Sequence, residues 1–393
     1  MCRNSTLGIC FILVALLIGY SESSFIKTSG NKFVRDGRPF YFNGFNAYWL
    51  MTTASNSTTR YKVSDVFSEA SKNGMNVARA WAFSDGGSYS PLQTYPGNYN
   101  QQTFSGLDFV VAEAKKYGIY LILSLVNNWN DYGGKKQYVE WGRSKGQSLK
   151  NDDEFFTNSV VKGFYKNNVK TVLTRYNTIT KLAYEDDPTI LAWELINEPH
   201  CESDLSGNTF QNWVAEMSGY VKSIDRNHLV EIGLEGYYGE SKKSVNPNGY
   251  IVGTDFISNS RVPTVDFTTI HIYGEQWLSN ASYQAQAQFV NQWVQSHISD
   301  SQSIGKPFVI SEFGKSYKYP GYSVGARDSY LSEIYTSVYN CAKSGGPCGG
   351  ALFWQVMDLG MENMGDGYEI VLQKSSSTDS IIYAQSKRMS SLH

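Results

Sequence analysis

Charged side chains are scarce in this chain. Lys, Arg, Asp and Glu make up 18% of its 393 residues and nearly cancel, to a net charge of -2. A nucleic acid or an anionic membrane surface calls for a concentrated excess of Lys and Arg, so neither partner is expected. Histidine is also sparse, at 5 residues with no two at helical ligand spacing, and no metal or other cofactor is expected. Gly-x-Ser-x-Gly, His-Glu-x-x-His, Cys-x-x-Cys and Gly-x-Gly-x-x-Gly are all missing. "FGKS" at 313–316 imitates the end of a phosphate loop, but Val309 stands where that loop needs glycine. No Pro- or Ser-rich linker interrupts the chain after about residue 40, which predicts a single domain over residues 24–393.

Aromatic residues, by contrast, reach 15%, with 9 Trp and 28 Tyr, and suit a neutral, polar, ring-shaped ligand. The N-terminus carries one cation, Arg3, then an apolar stretch from Leu7 to Tyr20, then small residues at Ser21 and Ser23. That order predicts a signal peptide over residues 1–23 and a secreted, extracellular protein; the stretch is short for the roughly 20 residues that span a bilayer, so no stable membrane association is expected. Its removal leaves Cys201, Cys341 and Cys348. The loop "AKSGGP" is flexible enough to let Cys341 and Cys348 bridge, with Cys201 free. Asn56 and Asn280 each begin a glycosylation sequon. A monomer is expected.

Eight apolar runs alternate with amphipathic stretches: "FYFNGFNAYW", "NVARAWAF", "IYLILSLVN", "ILAWELINE", "LVEIGLEG", "VDFTTIHIY", "KPFVISEFG" and "GALFWQV". Between them, Leu107, Val110, Val111 and Ala114 recur at helical spacing before Gly118, and Leu331, Ile334, Tyr335 and Val338 repeat the pattern. Eight buried strands alternating with helices predict an α/β fold, a (β/α)8 TIM barrel. "SGN" and "RDG" between Ile26 and Arg38 predict a short N-terminal β-hairpin plugging its bottom.

In such a barrel the strands deliver functional side chains at their carboxyl ends. Those ends hold Arg79 and Trp81, Asn127 and Asn128, Asn197 and Glu198, His271 and Tyr273, Glu312, and Trp354. Glu198 and Glu312, on the fourth and seventh strands, face each other across the mouth. Facing carboxylates are what glycosidic hydrolysis requires: one donates a proton to the leaving oxygen while the other attacks or activates water. A separation of about 5 Å predicts retention of anomeric configuration and about 6.5 to 9.5 Å inversion. Arg79 would hold Glu312 ionised while Glu198 keeps its proton. Asn197 is placed for a sugar 2-hydroxyl, Tyr273 for a hydrogen bond to the nucleophile, His271 for the acid or a hydroxyl, and Trp354 for stacking on a pyranose. Trp81, Trp129 and Trp141 are either cleft walls or core.

"NVARAWAF", "WELINEP", "IHIY", "ISEFG" and "ALFWQ", in this order over nearly all of the mature chain, resemble the plant endo-β-mannanases of glycoside hydrolase family five. The resemblance implies a retaining (β/α)8 enzyme with Glu198 as acid/base and Glu312 as nucleophile. It puts Arg79, Asn197, His271, Tyr273 and Trp354 on shared active-site positions, and likens "SLVNNW", which holds Asn127 and Trp129, to the third-strand loop of the plant enzymes. Its implied substrates are cell-wall mannans, galactomannans and glucomannans, cut internally, with transglycosylation open. The chain departs from many mannanases at His200, where they carry an Arg that contacts sugar on the leaving-group side. A cellulase-like β-1,4-glycanase or an inactive wall-binding protein would share the same cleft.

Overall fold

Each of the eight apolar runs forms one strand of a parallel sheet in the computed structural model, which describes residues 24–87 and 89–392. The strands are β1 (Phe42–Asn46), β2 (Val77–Trp81), β3 (Tyr120–Ser124), β4 (Ile190–Glu194), β5 (Leu229–Glu231), β6 (Thr268–Ile272), β7 (Phe308–Phe313) and β8 (Cys348–Phe353). The expected signal peptide lies outside the described residues. Every residue of the eight strands is buried, as a sheet covered on one side by helices and filled on the other by its own side chains requires. The ladder runs β5-β4-β3-β2-β1-β8-β7-β6. Between β5 and β6, single hydrogen bonds from Asp266 N–H to Val230 O (2.8 Å) and from His271 N–H to Glu235 O (3.0 Å) close the (β/α)8 barrel.

The helices obey their local signals. Gln101–Tyr117 starts where the Asn100 side chain accepts the N–H groups of Gln102 and Thr103, and stops at Gly118, whose φ of 70° is left-handed. Its buried face carries Leu107, Val110, Val111 and Ala114; that of Val324–Lys343 carries Leu331, Ile334, Tyr335 and Val338. Among the described residues, no helix is long and apolar enough to cross a membrane.

At the amino ends of the strands, Lys27–Ser29 and Lys32–Arg35 form the expected hairpin, and a third short strand, Arg38–Pro39, pairs with it. That strand escapes a reading of hydrophobic pattern because it is two residues long, with neither side chain buried. Phe33 points down from the hairpin onto Phe42 and Phe267, at 5.6 and 5.1 Å between ring centres, and seals an apolar layer with Val77, Ile122, Leu191, Leu229, Val309 and Leu352. Cys341 and Cys348 are bridged, with 5.8 Å between their Cα atoms, and Cys201 is a buried free thiol. Asn56 and Asn280 are exposed.

Candidate active site

The fourth strand's pairing continues past Glu194 as an irregular ladder: Leu195 and Ile196 donate to Glu231 O and Ile232 O, Asn197 to Val126 O, and Glu198 to Gly233 O. Glu198 closes this run at a φ of 51°, a left-handed conformation that costs a side-chain-bearing residue roughly 1–2 kcal/mol. The turn is held because Gly233 has no Cβ; one would lie 2.0 Å from Ile196 O. Glu198 is thereby aimed into the mouth by backbone pairing on both sides.

Glu312 arrives by a different device. The β6–β7 pairing slips between Ile270 and His271, so that Ser311 is skipped and His271 lies opposite Glu312. Such a bulge re-aims side chains at a sheet's functional edge. Arg79 Nη1 donates to Glu312 Oε1 at 2.5 Å, and the Tyr273 hydroxyl to Oε2 at 2.6 Å. Across the mouth, Trp129 Nε1 donates to Glu198 Oε2 at 2.6 Å, and His271 Nδ1 lies 2.6 Å from Glu198 Oε1. One oxygen of each acid and a nitrogen of His271 lie within 4.8 Å of one another. That oxygen-to-oxygen spacing falls on the retaining side of the two arrangements. Among the described residues, this trio is also the one cluster close enough to hold a metal ion. Arg79 and Tyr273 already occupy both Glu312 oxygens, however, and the guanidinium would repel a cation.

Burial pushes the Glu312 carboxyl up to about 7, against the pull of His271 and Arg79. It also raises Glu198, against the hydrogen bond from Trp129. Two donors, one of them a permanent cation, suit Glu312 to the ionised form, whereas Glu198 faces an imidazole that burial keeps below its usual value and neutral. Burial raises both acids, and Glu312 is the one whose carboxylate, once ionised, is hydrogen-bonded by a permanent cation.

Glu198 and Glu312 line a cleft of about 750 Å³ with Trp81, Asn127, Trp129, Asn197, His200, Tyr273 and Trp354. Asn197 Oδ1 accepts from Arg79 Nη2 at 2.6 Å, and its Nδ2 donates to Asn127 Oδ1 at 3.0 Å. His200 is tied by Nε2 to Glu235 at 2.5 Å, with its ring edge against Trp129. Trp354 donates to Asp366 at 2.5 Å and stacks on Tyr48. Trp141 is in the core, packed edge-on against Tyr138.

Sequence reasoning missed Asn46, Glu194, Glu235, Tyr237, Asp366 and Tyr368. Asn46 and Glu194 both accept from Arg79. An acid inside the apolar run "ILAWELI" was the legible sign of Glu194. Asp366 and Tyr368 come from a loop with no pattern to betray them.

Residues 23–368 match a family model described as GH family 5 beta-mannosidase-like. The chain is 60% identical to mannan endo-1,4-beta-mannosidase 4 of Solanum lycopersicum, covering 98% of this chain and 99% of that one. It is 54% identical to mannan endo-1,4-beta-mannosidase 1 of Oryza sativa subsp. japonica, covering 98% and 92%. The endo-beta-1,4-mannanase from Thermotoga petrophila superimposes with a TM-score of 0.80 at 32% identity, over 91% of this chain and 78% of that one. The endo-1,4-beta-mannanase from Rhizomucor miehei does so with a TM-score of 0.80 at 30% identity, over 93% and 99%.

Proposed function

The chain belongs to the β-mannosidase-like members of glycoside hydrolase family 5 and hydrolyses internal β-1,4-mannosidic bonds of mannans; we propose that Glu312 is its nucleophile and Glu198 its acid/base. The observation that carries this assignment is the pair itself: a buried acid clasped by Arg79 and Tyr273, and a half-buried one facing a neutral imidazole, with an oxygen of each within 4.8 Å of the other.

In the first step Glu312 attacks the anomeric carbon and the bond to the glycosidic oxygen breaks, that oxygen taking the proton of Glu198. A glycosyl ester on Glu312 results. In the second, the Glu198 carboxylate takes a proton from water, whose oxygen attacks the same carbon and frees Glu312. A sugar hydroxyl in place of water gives transglycosylation. Asn197, with Oδ1 already filled by Arg79, offers its second Nδ2 hydrogen to the 2-hydroxyl. Trp354, fixed by Asp366 and Tyr48, supplies a flat face for a pyranose, with Trp81, Trp129 and Asn127 completing the walls. His200, held by Glu235, meets the leaving-group side with a shorter, titratable group where many relatives carry Arg.

A signal peptide, the Cys341–Cys348 bridge and glycans on Asn56 and Asn280 fit a monomer secreted into the cell wall, acting on galactomannan and glucomannan. The test compares product release from galactomannan, defined manno-oligosaccharides and carboxymethylcellulose. Internal cleavage of the mannans with little release from the cellulose derivative is expected; the reverse preference would overturn the substrate assignment.

A further inference from the structure

The Arg79 guanidinium does not serve Glu312 alone. Its Nε and Nη2 donate to the two oxygens of Glu194 at 2.5 and 2.7 Å, while Nη1 reaches Glu312. Glu194 is wholly buried inside the barrel, and a second wholly buried acid, Glu231, stands across from it in the β4–β5 register. Glu231 Oε2 accepts from Gly233 N–H at 2.6 Å and from the Thr269 hydroxyl at 3.1 Å, while its Oε1 has no donor. Register partners on adjacent strands, both fully buried, Glu231 and Glu194 are too close in a dry interior for both to be ionised. With Arg79 on both oxygens of Glu194, the acid that keeps a proton is Glu231. Burial and the neighbouring Glu194 charge raise the Glu231 carboxyl well above the usual range. Burial works to raise Glu194, but the Arg79 charge and the hydrogen bonds to its carboxylate together hold it down at about 2.

We propose that Glu194 and Glu231 are positioning residues for the nucleophile: Glu194, oriented by a protonated Glu231, fixes Arg79 and takes up most of its charge, so that Glu312 stays basic enough to attack. This rests on the assignment of Glu312 as the nucleophile. The other groups facing Glu312 are Tyr273 and His271 on the sixth strand's end and Glu198 across the mouth; Ser124 of β3 and Glu231 complete the surroundings of Glu194. Were Glu194 neutral, the full guanidinium charge would fall on Glu312, stabilise its carboxylate and weaken it as a nucleophile.

The experiment is the pH profile of kcat/KM on mannopentaose for the wild type, Glu194→Gln and Glu231→Gln, with melting recorded beside it. In Glu194→Gln the acid limb is expected to move down by at least one pH unit, a tenfold change in proton affinity, and kcat to fall at least tenfold with KM within threefold. In Glu231→Gln the limb is expected to keep its wild-type midpoint, because Gln places a neutral donor where the protonated acid stood. A limb in Glu194→Gln that stays put or moves upward overturns the proposal. So does a displaced limb in Glu231→Gln, which would mean that Glu231 is ionised; that isosteric variant decides alone if Glu194→Gln does not fold. A wild type inactive on mannopentaose would defeat the mannanase reading instead, and an unimpaired Glu312→Ala the nucleophile assignment.

Discussion

The two ends of the barrel are made from the same eight strands under opposite rules. At the amino ends, Phe33, Phe42, Val77, Leu191, Val309 and Leu352 meet in a layer with no charged member, where each buried side chain contributes on the order of 1.5–3 kcal/mol. A few residues further along, Arg79, Glu194, Glu231, His271 and Glu312 are buried just as deeply, yet each is ionisable. Taking those groups out of water is costly and is offset because most of their polar atoms meet a partner, Glu231 Oε1 and His271 Nε2 excepted. One end stores stability, and the other spends structure on reactivity.

The largest effect that would separate the ends belongs to the acids. Glu312→Ala and Glu198→Ala are each expected to lower turnover of mannan on the order of 10³-fold or more while circular-dichroism melting shows an intact fold. Turnover within a few fold of wild type would remove the assignment.

At the closed end the sign of the experiment reverses. Phe33→Ala empties the plug and is expected to cost about 3–5 kcal/mol in denaturant unfolding, with kcat per folded molecule unchanged. A matching fall in kcat would show that the two ends are not independent.

The smallest effect tests the open end's cost directly. Glu312 keeps its proton to about 7 in the fold, whereas the unfolded chain releases it near 4.5. An acid raised in this way makes the native state lose stability as pH climbs from about 4.5 to about 7, with the full penalty present above 7. Glu312→Gln cannot ionise, so at pH 8 it is expected to be more stable than wild type by about 1–3 kcal/mol, a gap that closes below pH 4.5. A constant gap at all pH values would place its cause elsewhere.

Much of this comparison was legible in the chain. Strands buried on both faces are apolar at most positions, so eight runs announced eight strands, and polar residues at their carboxyl ends marked Glu198 and Glu312. The sorting of the tryptophans was not legible: Trp81, at a strand end, and Trp129, in a loop, line the cleft, while Trp141 lies in the core on the buried face of a helix. Nor was the bulge before His271, since a one-residue slip leaves no mark on hydrophobic pattern yet decides which residue opposes Glu312.

"AWELINEPH" holds both halves of that lesson. Local burial and periodicity, properties of neighbouring residues, determined the strand, its carboxyl-end acid and the barrel to which it belongs. The inward turn of Glu194 onto Arg79, its pairing with Glu231 and the clasp on Glu312 were decided only by the tertiary structure, because they depend on the tilt and register of four strands far apart in the chain.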